Sequence, residues 1–342
     1  MQVDTIKVAM PLKKKFKVSK GEARVKTNLI TILNNRYNGE ASGSVHAGPS
    51  LGIIEADLRT GVDKLKRKRK VTVRTLDEIS GYDIHPVARS ALVGMVLNYL
   101  SGESNRYPWE ILSLGTPVGI KSSMTISLDT PDQMAEAIRN SNHPILKIKM
   151  GSDEDMAVVD ALKLVSDREI RVDANGGWPC DKAEEIIFHL ARLGVIVIEQ
   201  PTDLEFIEEW PRLKGKNENV ELILDEGLGS LEDYNRFGEF VDGINIKMEK
   251  SGGILEAIRV ANAAHKDEKK VMLGCMVEST VGIAQSVYMS SLADYHDLDA
   301  PQLLEDDIAD GISYNREVIE VDREIIGGPK LKRDVVEKYT NG

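Results

Sequence analysis

The stretch ILKIKM at 145–150 decides the architecture, read with EIRVDA (169–174), VIVIEQ (195–200), ELILDE (221–226) and GINIKM (243–248). Each is a short, β-branched apolar run without strict alternation, the pattern of a parallel strand covered on both faces. Each also turns charged near its end, at Lys147 and Lys149, Asp173, Glu199, Asp225 and Lys247 in that order. From Lys149 the successive steps are 24, 26, 26 and 22 residues, each the length of one strand-plus-helix unit. The intervening segments carry helical spacing: Met156, Val159, Leu162 and Val165 in one, Ile186, Leu190 and Leu193 in another. Working outward, MTIS (124–127) precedes the set and KVMLGC (270–275) follows it, and ADYHDLDA (293–300) supplies an eighth run. Eight such units predict an α/β chain with a closed (β/α) TIM-type barrel over 119–305.

The first 118 residues have a different rhythm. VDTIKVAMPL and TNLITILN read as strands, and Ile84 to Leu100 reads as a helix ending near Ser101 and Gly102. Strands followed by helices predict a separate α+β domain over 1–118.

Composition narrows the partners. A net charge of −11 argues against a general nucleic-acid binder, and the basic run Lys64–Lys70 reads as a solvated helix end. The most apolar helical stretch, Ala91–Leu100, is interrupted by Asn98 and is too short to span a membrane. The N-terminal segment lacks the basic-then-apolar order of a signal peptide. Cys180 and Cys275 have no paired spacing, which disfavours a disulfide framework or cysteine-rich zinc site and suits a reducing cytoplasm. A homo-oligomer is compatible with such a barrel, because symmetric assembly is common.

Catalytic groups of a barrel sit where strands end. Asp173, Glu199 and Asp225 at one mouth would repel one another unless a hard divalent cation joined them, and an all-carboxylate set suits Mg²⁺ better than zinc. Lys149 lies two units before the middle carboxylate and Lys247 two units after it, so a closed barrel sets them on opposite sides. A lysine near a cation and a second lysine is pushed toward its neutral, basic form. Lys147 shares a strand face with Lys149 and is placed either to depress its pKa or to meet a substrate carboxylate.

These motifs resemble the enolase superfamily, in particular its muconate-lactonizing subgroup: K-I-K at 147–149, V-D-A-N at 172–175, I-E-Q-P at 198–201, D-E at 225–226 and N-I-K-M-E-K-S-G-G at 245–253. The resemblance covers nearly the whole chain. It implies an enolase-like fold in which residues 1–118 form a capping domain and 306–342 return to it. It implies Mg²⁺ on Asp173, Glu199 and Asp225, with Lys149 and Lys247 as acid/base groups on opposite faces of the substrate α-carbon. The segment H-D-L-D-A adds Asp297 and Asp299 at the eighth strand, similar to the motif with which dipeptide epimerases of that subgroup bind a substrate ammonium. The implied reaction is 1,1-proton transfer at the C-terminal residue of an L,L-dipeptide. Two alternatives stand beside it. One is o-succinylbenzoate synthase or N-acylamino acid racemase, whose substrates lack the free ammonium. The other is a barrel that binds without catalysing. In that family, cap loops set the side-chain preference, here near Phe16–Arg24 and Val45–Asp57. Gly21 falls where Ala–Glu enzymes tend to carry an arginine, with Lys20 and Arg24 as neighbours. Glu22 points toward a cationic side chain, and His46 reads as a surface loop residue.

Overall fold

Alternating burial along the N-terminal strand makes the first layer. In the computed structural model, which describes residues 1–18, 21–43, 49–162 and 168–340, strands β1 (Val3–Val18), β2 (Gly21–Leu33) and β3 (Tyr37–Ala41) form an antiparallel sheet. Lys20, His46 and Val165 lie outside the described residues. Ile6, Val8, Met10 and Leu12 of β1 turn to one face and pack with Val277, Leu304, Ile308 and Val335. Leu29, Leu33, Tyr37 and Ala41 join the larger core, which contains the helices Leu51–Lys66 and Pro86–Ser104.

The second of these helices runs past the expected stop. It continues to Ser104 and ends at Asn105, which takes the left-handed conformation (φ 51°). Gly102 serves close approach instead of termination, since a Cβ there would sit 2.4 Å from the Tyr37 ring. Asn98, in the middle of this apolar helix, is buried and satisfied: its Nδ2 donates to the Asn38 carbonyl (2.8 Å), and Tyr288 Oη donates to its Oδ1 (3.1 Å).

After the short strand β4 (Ile120–Lys121) come the eight barrel strands: β5 (Met124–Ile126), β6 (Ile145–Lys149), β7 (Glu169–Asp173), β8 (Val197–Glu199), β9 (Glu221–Leu224), β10 (Gly243–Ile246), β11 (Lys270–Gly274) and β12 (Tyr295–Asp297). All pair in parallel and in chain order. Every apolar run quoted above is one of these strands. The sheet closes beside β5, where Ser122 bridges His296 and Ser123 N donates to the His296 carbonyl (3.1 Å). Arg171 reaches from β7 to the same carbonyl (2.8 Å), and its guanidinium lies 5.0 Å from the centre of the Tyr295 ring. The chain then forms β13 (Ala309–Asp310), β14 (Ile312–Asn315), β15 (Val318–Val321) and β16 (Lys330–Leu331), with β15 pairing to β4 and β16 to β13. This last segment touches the N-terminal sheet, where Asn38 Nδ2 donates to the Pro329 carbonyl (3.0 Å). Among the described residues no helix is long and apolar enough to cross a membrane.

Docking of sheet and helices onto the barrel is polar as well as apolar. Glu40 of β3 is buried and accepts from Gly282 N (2.9 Å), Ser279 N (3.2 Å) and Asn28 Nδ2 (2.6 Å). It thereby meets the N-terminus of the helix Thr280–Tyr288, where a carboxylate is favoured. Gly253 (φ 112°) lets the segment after β10 approach the helix Pro86–Ser104, since a Cβ there would meet Val93 Cβ at 2.9 Å.

Burial at the closing seam pushes the His296 imidazole down to about 4 from its ordinary 6.5. The folded state therefore prefers neutral histidine. The stability this represents is present above pH 6.5 and is lost as pH falls from there toward 4, up to roughly 3 kcal/mol. His296→Gln should lose less unfolding free energy than the wild type between pH 7 and about pH 4.5 in urea titrations. Parallel losses would show that His296 is not the titrating group.

Candidate active site

The strand register brings the charged ends together. Asp173 pairs directly with Lys149 on one side and Glu199 on the other, so β6, β7 and β8 end in one row. Asp225 follows β9 and Lys247 follows β10. Asn175 (φ 47°) and Gln200 (φ 43°), just beyond β7 and β8, both hold the left-handed backbone that is costly for side-chain-bearing residues and concentrates at functional sites. Gln200 Oε1 repays this by accepting from Asp225 N (3.0 Å) and Glu226 N (2.9 Å), which fixes the turn carrying Asp225.

Lys147 is the centre of the charge network. Its Nζ lies 2.7 Å from Asp297 Oδ2, 2.8 Å from Glu199 Oε2 and 3.0 Å from Asp173 Oδ2. It is 1% exposed and fully engaged by protein carboxylates, so its contacts hold the site together more than they await a ligand. Lys149 Nζ sits 2.6 Å from Asp173 Oδ2, and Lys247 Nζ 2.8 Å from Asp225 Oδ2. Asn245 Nδ2 donates to Glu199 Oε1 (3.0 Å).

Burial alone would lower Lys147, but Asp173, Asp297 and Glu199 hold its ammonium well above the usual range. Lys247 is likewise raised: burial is outweighed by Asp225 and Glu199. The depression expected from the sequence is that of a lysine beside a bound cation, whereas the nearest charges to Lys247 here are carboxylates. Burial would raise Asp173 and Asp225, yet the surrounding lysines pull both far below the carboxylate range. Glu199 goes the other way, to about 7, through burial and the adjacent charge of Asp173.

Asp297 closes β12, and Asp299 stands two residues on, at the start of the helical turn Ala300–Leu303. Ser123 Oγ donates to Asp297 Oδ1 (2.7 Å), and Thr125 N donates to Asp299 Oδ2 (2.7 Å). Burial and the neighbouring Asp297 raise Asp299 to about 6.

A cavity of about 590 Å³ opens over these groups. Lys147, Lys149, Asp225, Lys247, Asp297 and Asp299 line it, while Asp173 and Glu199 lie fully buried beneath. The other wall includes Phe16, Pro49, His85 and Val87 from the N-terminal part of the chain. Glu22 pairs with Lys15 on the exposed β1–β2 hairpin, and neither Glu22 nor Arg24 lines the cavity.

The donor set suits a hard cation. All three strand-end groups offer carboxylate oxygen. Close by, Glu226 Oε2 and Asn175 Oδ1 are buried without a hydrogen-bond partner, so the site has oxygen lone pairs to spare. Among the described residues no three such side chains are gathered into a ready cage, because each carboxylate is turned onto a lysine or amide.

Sequence reasoning passed over Lys250 and Asn245. Lys250 Nζ lies 2.8 Å from Asp225 Oδ1. Its spacing of three from Lys247 is the available signal, since the turn Met248–Ser251 is helical and sets both ammonium groups on one side.

A family profile described as "Enolase C-terminal domain-like" matches residues 129–323. The "Hydrophobic dipeptide epimerase" of Roseobacter litoralis is 30% identical over 326 residues, covering 89% of this chain and 92% of the relative. The "L-Ala-D/L-amino acid epimerase" of Flavobacterium johnsoniae is 27% identical, covering 91% and 94%. A crystal structure of the dipeptide epimerase from Cytophaga hutchinsonii, complexed with Mg and D-Ala-L-Val, superposes with a TM-score of 0.86 at 22% identity. That match covers 98% of this chain and 97% of the other.

Removing the central ammonium tests the network directly. Lys147→Met should destabilise the fold by about 3–5 kcal/mol, because it leaves buried carboxylates uncompensated. Equilibrium unfolding in urea would measure it, and a change below about 1 kcal/mol would mean the carboxylates do not depend on Lys147.

Proposed function

The chain belongs to the enolase superfamily, and on that premise we propose that it is a Mg²⁺-dependent dipeptide epimerase. It moves a proton at the α-carbon of the C-terminal residue of an L,L-dipeptide. The observation that carries this reading is the opposition of Lys149 and Lys247. They end β6 and follow β10, with three strands between them either way around the eight-stranded barrel. Both line one cavity, so a carbon held between them meets a basic nitrogen on each face.

One lysine removes the α-proton and the other delivers a proton to the opposite face, which inverts the centre. Asp173, Glu199 and Asp225 would hold Mg²⁺, which supplies Lewis-acid charge for the substrate carboxylate as its α-carbon becomes electron-rich. With those carboxylates committed to a cation, Lys149 would lose its Asp173 contact, and Lys247 the Asp225 partner that holds its ammonium. Lys147 keeps Asp297 in place. Asp297 and Asp299 present two carboxylates at the cavity wall, a charge-assisted site for the dipeptide's ammonium. That pair weighs against N-acylated amino acids and the o-succinylbenzoate precursor, which bring no cation there. A cytoplasmic location is supported by the two free cysteines, Cys180 and Cys275.

Incubation in D₂O with Mg²⁺ and pooled L,L-dipeptides should add one mass unit to the substrates that are accepted, and EDTA should abolish the gain. Deuterium uptake that persists in EDTA would remove the metal from the mechanism. Uptake by N-acylamino acids alone would replace the dipeptide with an acylated substrate.

A further inference from the structure

The cavity contains an acid that the proton transfer does not use. Glu249 stands two residues after Lys247, on the turn Met248–Ser251, is 1% exposed and lines the cavity. Behind it lies Glu278, in the segment between β11 and the helix Thr280–Tyr288, close enough for the two carboxyls to act on each other. Glu278 Oε1 accepts from Met276 N (3.2 Å), but Oε2 of Glu278 and Oε2 of Glu249 have no protein donor. Burial raises both carboxyls, and the charge of Glu249 raises Glu278 further. The nearby cation on the cap side is Lys26, whose Nζ donates to the Gly43 carbonyl and which is shared electrostatically among Glu40, Glu249 and Glu278. Lys247 also acts on Glu249 electrostatically, but neither lysine donates to its Oε2, so this corner of the cavity is short of hydrogen-bond donors.

We infer that Glu249, backed by Glu278, receives a cationic group at the end of the substrate's C-terminal side chain, so that the preferred dipeptides carry a lysine- or arginine-type residue at the carbon being inverted. The inference rests on the dipeptide-epimerase reading above. Glu249 shares a turn with Lys247, which places its carboxyl within reach of a long side chain leaving the carbon that Lys247 serves. Phe16, Val87 and Val277 line the same cavity and suit the alkyl stem of such a side chain, whose charged end needs a polar partner. An ammonium or guanidinium brings the donor that Glu249 Oε2 lacks, whereas an acidic side chain would add a third carboxylate beside Glu249 and Glu278.

The test compares kcat/KM of the full-length, Mg²⁺-loaded protein for L-Ala–L-Lys, L-Ala–L-Met and L-Ala–L-Glu. The lysyl dipeptide should exceed its neutral counterpart of similar length by roughly 30-fold, and the glutamyl one should be poorest. Glu249→Gln should shrink the Lys-over-Met ratio by roughly tenfold. A wild-type ratio at or below unity overturns the inference while leaving the epimerase reading intact, and this comparison needs no variant to fold. A folded Glu249→Gln protein with an unchanged ratio overturns the role of Glu249. Absence of α-proton exchange on every dipeptide overturns both readings together.

Discussion

Lys147 stands where Asp173, Glu199 and Asp297 converge, almost wholly buried at the floor of the cavity. The rest of the site depends on this contact. Buried carboxylates on neighbouring strands cannot all stay ionised unless opposite charge is placed among them. Lys147 supplies part of that charge from β6, Lys149 supplies more to Asp173, and Lys247 with Lys250 supplies it to Asp225. On the proposed reading, a divalent cation on the carboxylates would substitute for lysine charge and leave Lys149 and Lys247 to act as bases. The same groups would then serve folding and chemistry in turn.

The N-terminal sheet and helices close the cavity from the side opposite the strand ends. Glu40 on the N-terminus of the helix Thr280–Tyr288 and the close approach at Gly253 fix this layer against the segments after β10 and β11. Those segments carry Lys247, Glu249 and Glu278. The groups that would act on the α-carbon and the groups that would read its side chain are therefore positioned by one interface.

Much of this was legible because parallel barrel strands are buried on both faces. The apolar runs stand out, and so do the charged residues that end them at intervals of one unit. Lys149, Asp173, Glu199, Asp225 and Lys247 could be picked out by that contrast alone. Contacts across the barrel could not. Ser123 and Asp297 meet only because the sheet closes, at a separation of 174 residues that leaves no local pattern. Asn245 faces inward from the middle of an apolar run and becomes meaningful only once Glu199 is seen beside it. The Lys247–Asp225 contact was not legible for a related reason: sequence order shows which charges share a rim, but not which of them touch. The end of the helix Pro86–Ser104 was misplaced because Gly102 answers to the Tyr37 ring, a tertiary contact, and not to helix termination.

The central claim is that Lys149 and Lys247 serve opposite faces of one carbon. Stereospecific α-proton exchange in D₂O, followed by NMR for Lys149→Ala and Lys247→Ala with each epimer of an accepted dipeptide, tests it most directly. The account predicts that neither variant epimerises and that each exchanges the α-proton of a different epimer only. If both variants exchanged the same epimer, or if either still inverted the centre, the two lysines would not be a face-to-face acid/base pair.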